Sequence, residues 1–307
     1  LVDAFRRKRM IVFLLSLAAV FAATLAFPES AFAWGPITHI VHGSAILERL
    51  DLLPHGLQSA LALHQSRYLY GCVGADIIQA KAYTRNVAMH CHRWPVAWKI
   101  VNAAETEGEL AFAWGYMTHL AADIVSHNHF VPAHLLQSFD ARTSGHAYWE
   151  ARADVLQDDA NGARLRAVLG GRYEDCDRLV NRVINDTLFS FKTNKRIFDS
   201  LMALSKLERW QRVVRNVNDR SRHRLTRETV DVYNRACIGS AVDLLTRRTQ
   251  SFTQDEDPTG KAVLGRAMAL RRKLRALKKE RKLPEGLQEE MAAQLLPDQL
   301  LSVRVAA

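Results

Sequence analysis

The sequence predicts an all-α protein, a compact multi-helix bundle followed by a C-terminal helical extension. Three observations predict it. Leu, Ala and Arg dominate the 307 residues. No run of alternating β-branched residues reads as a strand. Pro and Gly punctuate the chain at intervals that suit helices rather than hairpins.

Residues 1–33 read as an export signal. Arg6, Arg7, Lys8 and Arg9 form a positive start, Met10 to Phe27 is an uncharged apolar run, and Ala31-Phe32-Ala33 fits the small-x-small rule for signal peptidase. Cleavage between Ala33 and Trp34 delivers the protein to the periplasm or the medium; an uncleaved run, long enough to span a bilayer, anchors it instead. The chain starts with Leu, and Met10 is an alternative start. No later apolar stretch is long enough to span.

The spacing then predicts helices over about 37–52 and 56–69, separated at Pro54, with Gly71 closing the second. Pro95 opens a helix over 95–105, and another covers 108–125, before Pro132. Further helices are expected over 146–158, 174–204 (after Gly170-Gly171), 206–217 and 223–250. Pro258 and Pro284 precede the last two, 260–282 and 286–300. Residues 34–257 form the main domain on this reading, and 258–307 an added basic helical segment.

Formal net charge is +10, of which about +8 remains after cleavage because the signal carries four basic and two acidic residues. Ten basic residues against one Glu lie between Lys261 and Lys282, so the positive balance is local. Val263, Leu264, Met268, Leu270, Leu274 and Leu277 recur near helical spacing there. A solvated face of a packed helix is the plain reading, peripheral contact with a membrane the sharper one. Nucleic-acid contact ranks last, because no aromatics interleave with the charges. Cys72, Cys91, Cys176 and Cys237 allow three full pairings in an oxidising compartment, and their spacing matches no zinc finger.

The histidines carry the functional signal. Eleven of twelve precede residue 147. Core packing alone does not cluster them so, whereas neutral imidazole is a favoured zinc ligand. In HLAADIVSHNH, His119, Asp123 and His127 stand at i, i+4 and i+8, on one face of a helix. His146 and Glu150 repeat the i, i+4 pairing. Asp76 and His90 lie fourteen residues apart across a loop, with His92 competing for the role. Signal cleavage would give Trp34 a free α-amine, which with its own carbonyl can chelate a cation; the amine's pKa of about 7.7–8 lets a metal displace its proton. His39 stands five residues on.

These elements, in this order, resemble the zinc-dependent phospholipase C family and, more distantly, zinc nucleases of the same fold. The resemblance covers about residues 34–152. It implies a helical cleft with up to three zinc ions: one held by Asp76, His90, His119 and Asp123; one by Trp34 and His39 with Asp123 bridging; one by His146, Glu150 and either His127 or His129. Helix geometry favours His127, and the spacing in the secreted phospholipases points to His129. Glu150, where nucleases carry Asp, leans toward phospholipase.

The implied activity is hydrolysis of a phospholipid phosphodiester by a zinc-bound hydroxide, with Asp76 also accepting the water's proton. Two rivals stand beside it: a single-strand nuclease, needing base platforms such as Trp94, Trp98 or Trp149, and a non-catalytic metal-binding helical protein. Without a G-x-S-x-G elbow, a Walker loop or a Rossmann fingerprint, acyl, nucleotide and hydride chemistry have no support.

Overall fold

The computed structural model describes residues 34–78, 90–141, 145–184, 191–205 and 208–295, with backbone only at 201–205 and 208–210. The expected signal segment lies outside them. Among the described residues there are helices and turns and no strand, and no helix is long and apolar enough to cross a membrane.

One helix organises the rest. Glu107–Val125, here α5, is buried along nearly its whole length, as a helix hydrophobic all round should be. Its start is a capping arrangement: Thr106 Oγ1 accepts the Glu109 amide at 3.1 Å, and the Glu109 carboxylate accepts the Glu105 amide at 2.8 Å. Around it pack α1 (Pro36–Leu47), α2 (His55–Leu63), α3 (Gln65–Gly71) and α4 (Trp94–Ala103). The long α12 (Arg227–Arg247), capped by Thr226, lies against both α5 and α1.

The α3–α5 crossing is backbone on backbone. A Cβ on Gly71 would stand 2.0 Å from the Phe112 carbonyl oxygen, and one on Gly115 would stand 2.0 Å from that of Tyr68. Two glycines are therefore what lets the helices approach.

Beyond Val125 the helix does not continue unchanged. Residues Ser126–Phe130 form a π-turn before α6 (Val131–Gln137). Pro132 has no amide to give the Asn128 carbonyl, and its ring would clash there in a regular α-turn, so the widened turn accommodates it. The uniform i, i+4, i+8 face expected for His119, Asp123 and His127 is interrupted at this point.

The next elements are α7 (His146–Asp154), α8 (Asp159–Leu169), α9 (Glu174–Val183), α10 (Phe191–Ser205) and α11 (Glu208–Asp219). The sequence reading did not include α8, whose Leu165 and Val168 are buried against the body. Expected helices 37–52 and 56–69 each break, at a 3₁₀ turn (Leu50–Leu52) and at His64. The expected 146–158 helix ends at Asp154. The expected 174–204 helix is two, with 185–190 outside the described residues.

After α12, α13 (Lys261–Lys279) and α14 (Leu287–Leu295) fold back onto the body. Leu274 and Met291 close a small cluster with Leu136 and Phe139 of the α6 region, and Ala267 joins the cluster that contains Trp34 and Phe130. All four cysteines are free and buried.

The start of α1 is fixed from another helix. Gly35 offers no capping side chain, and Asp154 at the end of α7 accepts the Thr38 amide at 2.8 Å and its hydroxyl at 3.0 Å. Burial pushes the Asp154 carboxyl up to about 7 from an ordinary 3.8, against the pull of those hydrogen bonds. A raised folded-state pKa stabilises fully below the unfolded value and is lost as pH rises through the folded one. Unfolding free energy should therefore fall between about pH 4 and pH 7, and Asp154→Asn should flatten that slope. Urea titrations across this window test it; an unchanged slope in the variant refutes the assignment.

Candidate metal centre

α1 and α5 bring His39, His119 and Asp123 together, all but fully buried. His39 Nε2 lies 3.4 Å from Asp123 Oδ1, His119 Nε2 lies 3.2 Å from Oδ2, and the two imidazoles stack at 3.9 Å. The 3₁₀ turn Gly74–Ile77 adds Asp76. The residues just before α4 add His92, whose Nε2 stands 3.4 Å from Asp76, 3.2 Å from Asp123 and 3.1 Å from His119 Nε2. A further group joins the π-turn to α7: His146 Nε2 is 2.6 Å and His127 Nε2 3.9 Å from Glu150 Oε1.

Four sets of possible donors form among the described residues, each with its ligand atoms within 4.8 Å of one another: His90, Cys91 and His92, and three that mix imidazole with carboxylate, namely His39, His119 and Asp123; Asp76, His92 and His119; and His127, His146 and Glu150. Burial of the mixed sets is near complete except at His146, whose side chain is 20% exposed and marks the open side.

Hydrogen bonds behind the histidines decide which nitrogen faces inward. His119 Nδ1 donates to the Cys72 carbonyl at 2.8 Å, and His127 Nδ1 donates to the Pro258 carbonyl. Each ring then presents Nε2 as a lone pair, the arrangement metal-binding histidines use. The Gly71–Gly115 crossing is what sets Cys72 beside His119. Tyr116, one turn earlier on α5, donates to the Cys91 carbonyl at 2.6 Å and so fixes the residue next to His92.

The charges fit a cation. Burial, followed by the neighbouring His119, holds the His39 pKa well below 6.5, so that ring is neutral. Burial opposes ionisation of Asp123, yet positive charge on His119, His92 and His127, when those rings are protonated, holds its carboxyl well below the usual carboxylate range, a role a bound cation would take over. Both Asp123 oxygens and both His39 ring nitrogens are buried without a hydrogen bond of sound geometry. Such acceptors are costly to bury unless a cation sits among them. The donor set of imidazoles and carboxylates is that of zinc.

The structure sorts the expected ligands at three positions. His92, not His90, faces Asp76 and Asp123; His90 instead accepts the His92 amide on Nδ1 at 3.1 Å. Residues 90–93 form a turn, closed by the Arg93 amide on the His90 carbonyl at 3.1 Å, and the two rings stand at 70° to one another. His127, the histidine that helix geometry favoured, joins His146 and Glu150 rather than His129. His129 lies 3.7 Å from Glu256 instead. Trp34 is fully buried, donating its indole N–H to the Ala122 carbonyl at 3.1 Å, beside Asp123. Its α-nitrogen is an amide here, as residues 1–33 precede it.

The proposed base platforms are packed. Trp149 is buried against His134 and Arg152, while Trp94 and Trp98 donate to Glu256 and Gln254. His42 and His134 are structural: burial takes both to about 4, and they bond Asn234 and the Phe130 carbonyl.

A profile for zinc-dependent phospholipase C matches residues 38–210, more than half of the chain. The chain belongs to the zinc-dependent phospholipase C family. No curated protein and no solved structure matched it. The match takes in His39 and every later donor through Glu150. It stops short of α12 and α13, and so of Pro258, which orients His127 in this family member.

Gly260 makes that support sensitive. It has φ +57°, and a Cβ there would lie 2.3 Å from His127 Cβ. Gly260→Val should cost about 2–3 kcal/mol and weaken metal binding at the His127 group first. Urea unfolding with zinc titration checks both; a variant with full affinity at all groups contradicts the packing.

Proposed function

We propose that this protein is an exported zinc-dependent phosphodiesterase that hydrolyses phospholipid, leaving diacylglycerol and a phosphorylated head group. One observation carries the reading: three sets of imidazole and carboxylate donors form in the helical body, two of them sharing the buried His119. Membership of the zinc-dependent phospholipase C family supports the substrate class.

Zinc, when bound, neutralises charge on the phosphodiester and lowers the pKa of attacking water. The protein's residues do the rest. Asp76, His39, His92, His119 and Asp123 would hold zinc at the inner groups, and His127, His146 and Glu150 would hold it at the group on the open side. Trp34 contributes its α-amine once the signal is removed. Asp76, 1% exposed, takes the proton of the attacking water on its carboxylate. Burial keeps competing solvent from the charges, which strengthens each electrostatic contact. No side-chain nucleophile is required, so no covalent enzyme intermediate should accumulate.

Parallel assays on phosphatidylcholine and single-stranded DNA test the substrate class; turnover of DNA alone reverses it in favour of the nuclease. Asp76→Asn should keep most of the zinc and lose activity by about 10²–10⁴-fold, the range for a general base. Full activity in that variant removes Asp76 from the chemistry.

A further inference from the structure

The basic helix α13 was open to two readings in sequence, and its packing separates its faces. At about 100° per residue, Leu264, Ala267, Leu270 and Leu274 turn toward the body, where Ala267 and Leu274 are fully buried. Three cations flank that inward face and are used internally. Arg271 donates to the Ala141 carbonyl at 2.9 Å, Arg275 to the Phe139 carbonyl at 2.5 Å, and Lys278 pairs with Asp140 at 2.7 Å.

The outward arc is different. It spans about 160° by the same geometry and carries Lys261, Arg266, Arg272, Lys273 and Lys279, all exposed, with no acid among them. None of the five side chains pairs with a carboxylate among the described residues. Some basic side chains elsewhere on the surface do pair, Arg182 with Glu105 at 3.1 Å, Arg215 with Asp159 at 3.2 Å and Arg227 with Asp158 at 2.9 Å; what sets the arc apart is five cations on one helix face with no acid among them. Between the two rows of cations run Ala262, Gly265, Ala269 and Ala276, with Met268 exposed at one edge. A flat strip of small residues lets long cationic side chains on both margins reach one plane together.

We propose that this outward face docks the protein on an anionic phospholipid bilayer. Unpaired positive charge on a helix face matches the negative surface potential of such a membrane. The arc has no aromatic ring to stack on bases, which disfavours nucleic acid. The helix also starts at the metal centre: Gly260, immediately before it, packs on His127, and Pro258 holds that ring. A lipid surface bound along α13 is thereby beside the donors that act on lipid. This deepens the phospholipid reading of the centre and rests on it for the choice of lipid as occupant.

The test is co-sedimentation of the protein, with whatever N terminus processing leaves, on phosphatidylcholine vesicles with and without phosphatidylglycerol. The comparison protein carries Arg266→Gln, Arg272→Gln and Lys273→Gln, exchanges that favour helix as much as the originals. Each cation near an anionic surface contributes about fivefold to partition, so the triple variant should lose about 10²-fold at low salt. Its turnover of dispersed short-chain phospholipid should not change. Equal partition of the two proteins overturns the proposal, as does parent binding that is indifferent to phosphatidylglycerol or is displaced preferentially by single-stranded DNA. Sedimentation needs no turnover: salt-sensitive binding without hydrolysis overturns the activity alone, and hydrolysis of dispersed lipid without binding overturns the dock alone.

Discussion

Gly115→Val should cost the fold about 3 kcal/mol or more and release metal with it. The new Cβ would be 2.0 Å from the Tyr68 carbonyl oxygen and 3.0 Å from the Cys72 amide nitrogen. Both are backbone atoms, so no rotamer change relieves the contact; α3 and α5 must part. Parting them moves the Cys72 carbonyl away from His119 Nδ1, and His119 serves two of the three mixed donor sets. Zinc content and urea midpoint should fall together. Gly56→Ala is the control, since nothing lies within 4 Å of a Cβ there; in a helix it should be neutral or stabilising by about 1 kcal/mol. A Gly115→Val protein with normal stability and metal would show that the crossing is looser than the geometry says.

His92→Ala should strip an inner zinc ion and reduce hydrolysis by about 10²-fold or more, the scale of losing one preorganised electrostatic stabiliser. His90→Ala should leave both nearly intact. Asp123→Ala should be harsher than either, because its carboxylate faces His39, His92 and His119 at 3.2–3.4 Å. His146→Ala should spare the inner ions and empty only the group at the open side. Metal analysis of the four purified variants separates these outcomes. Loss of zinc in His90→Ala with retention in His92→Ala would restore the ligand set that the family resemblance implied.

The tandem histidines show why the choice needed the fold. Spacing alone left His90 and His92 as rivals, and Tyr116 anchoring the Cys91 carbonyl is a contact between residues 25 apart. For His127 and His129, helix periodicity already favoured His127, and what the fold adds is the carbonyl from residue 258 that holds its ring. Asp154 gave no sequence signal at all, since its partner Thr38 lies 116 positions away. The i, i+4 pairs His119–Asp123 and His146–Glu150 were readable because helix periodicity is local.

The sequence by itself determined the helical class, the supply of imidazoles and carboxylates and the family they resemble, since composition, period and short spacings are properties of neighbouring residues. Only the tertiary structure decided which histidine turns inward, how the donors divide into groups, and which cations of the basic helix are used against the body. Those outcomes rest on backbone approach and burial between segments far apart in the chain, where a carbonyl or a missing Cβ on one helix sets the orientation of a side chain on another.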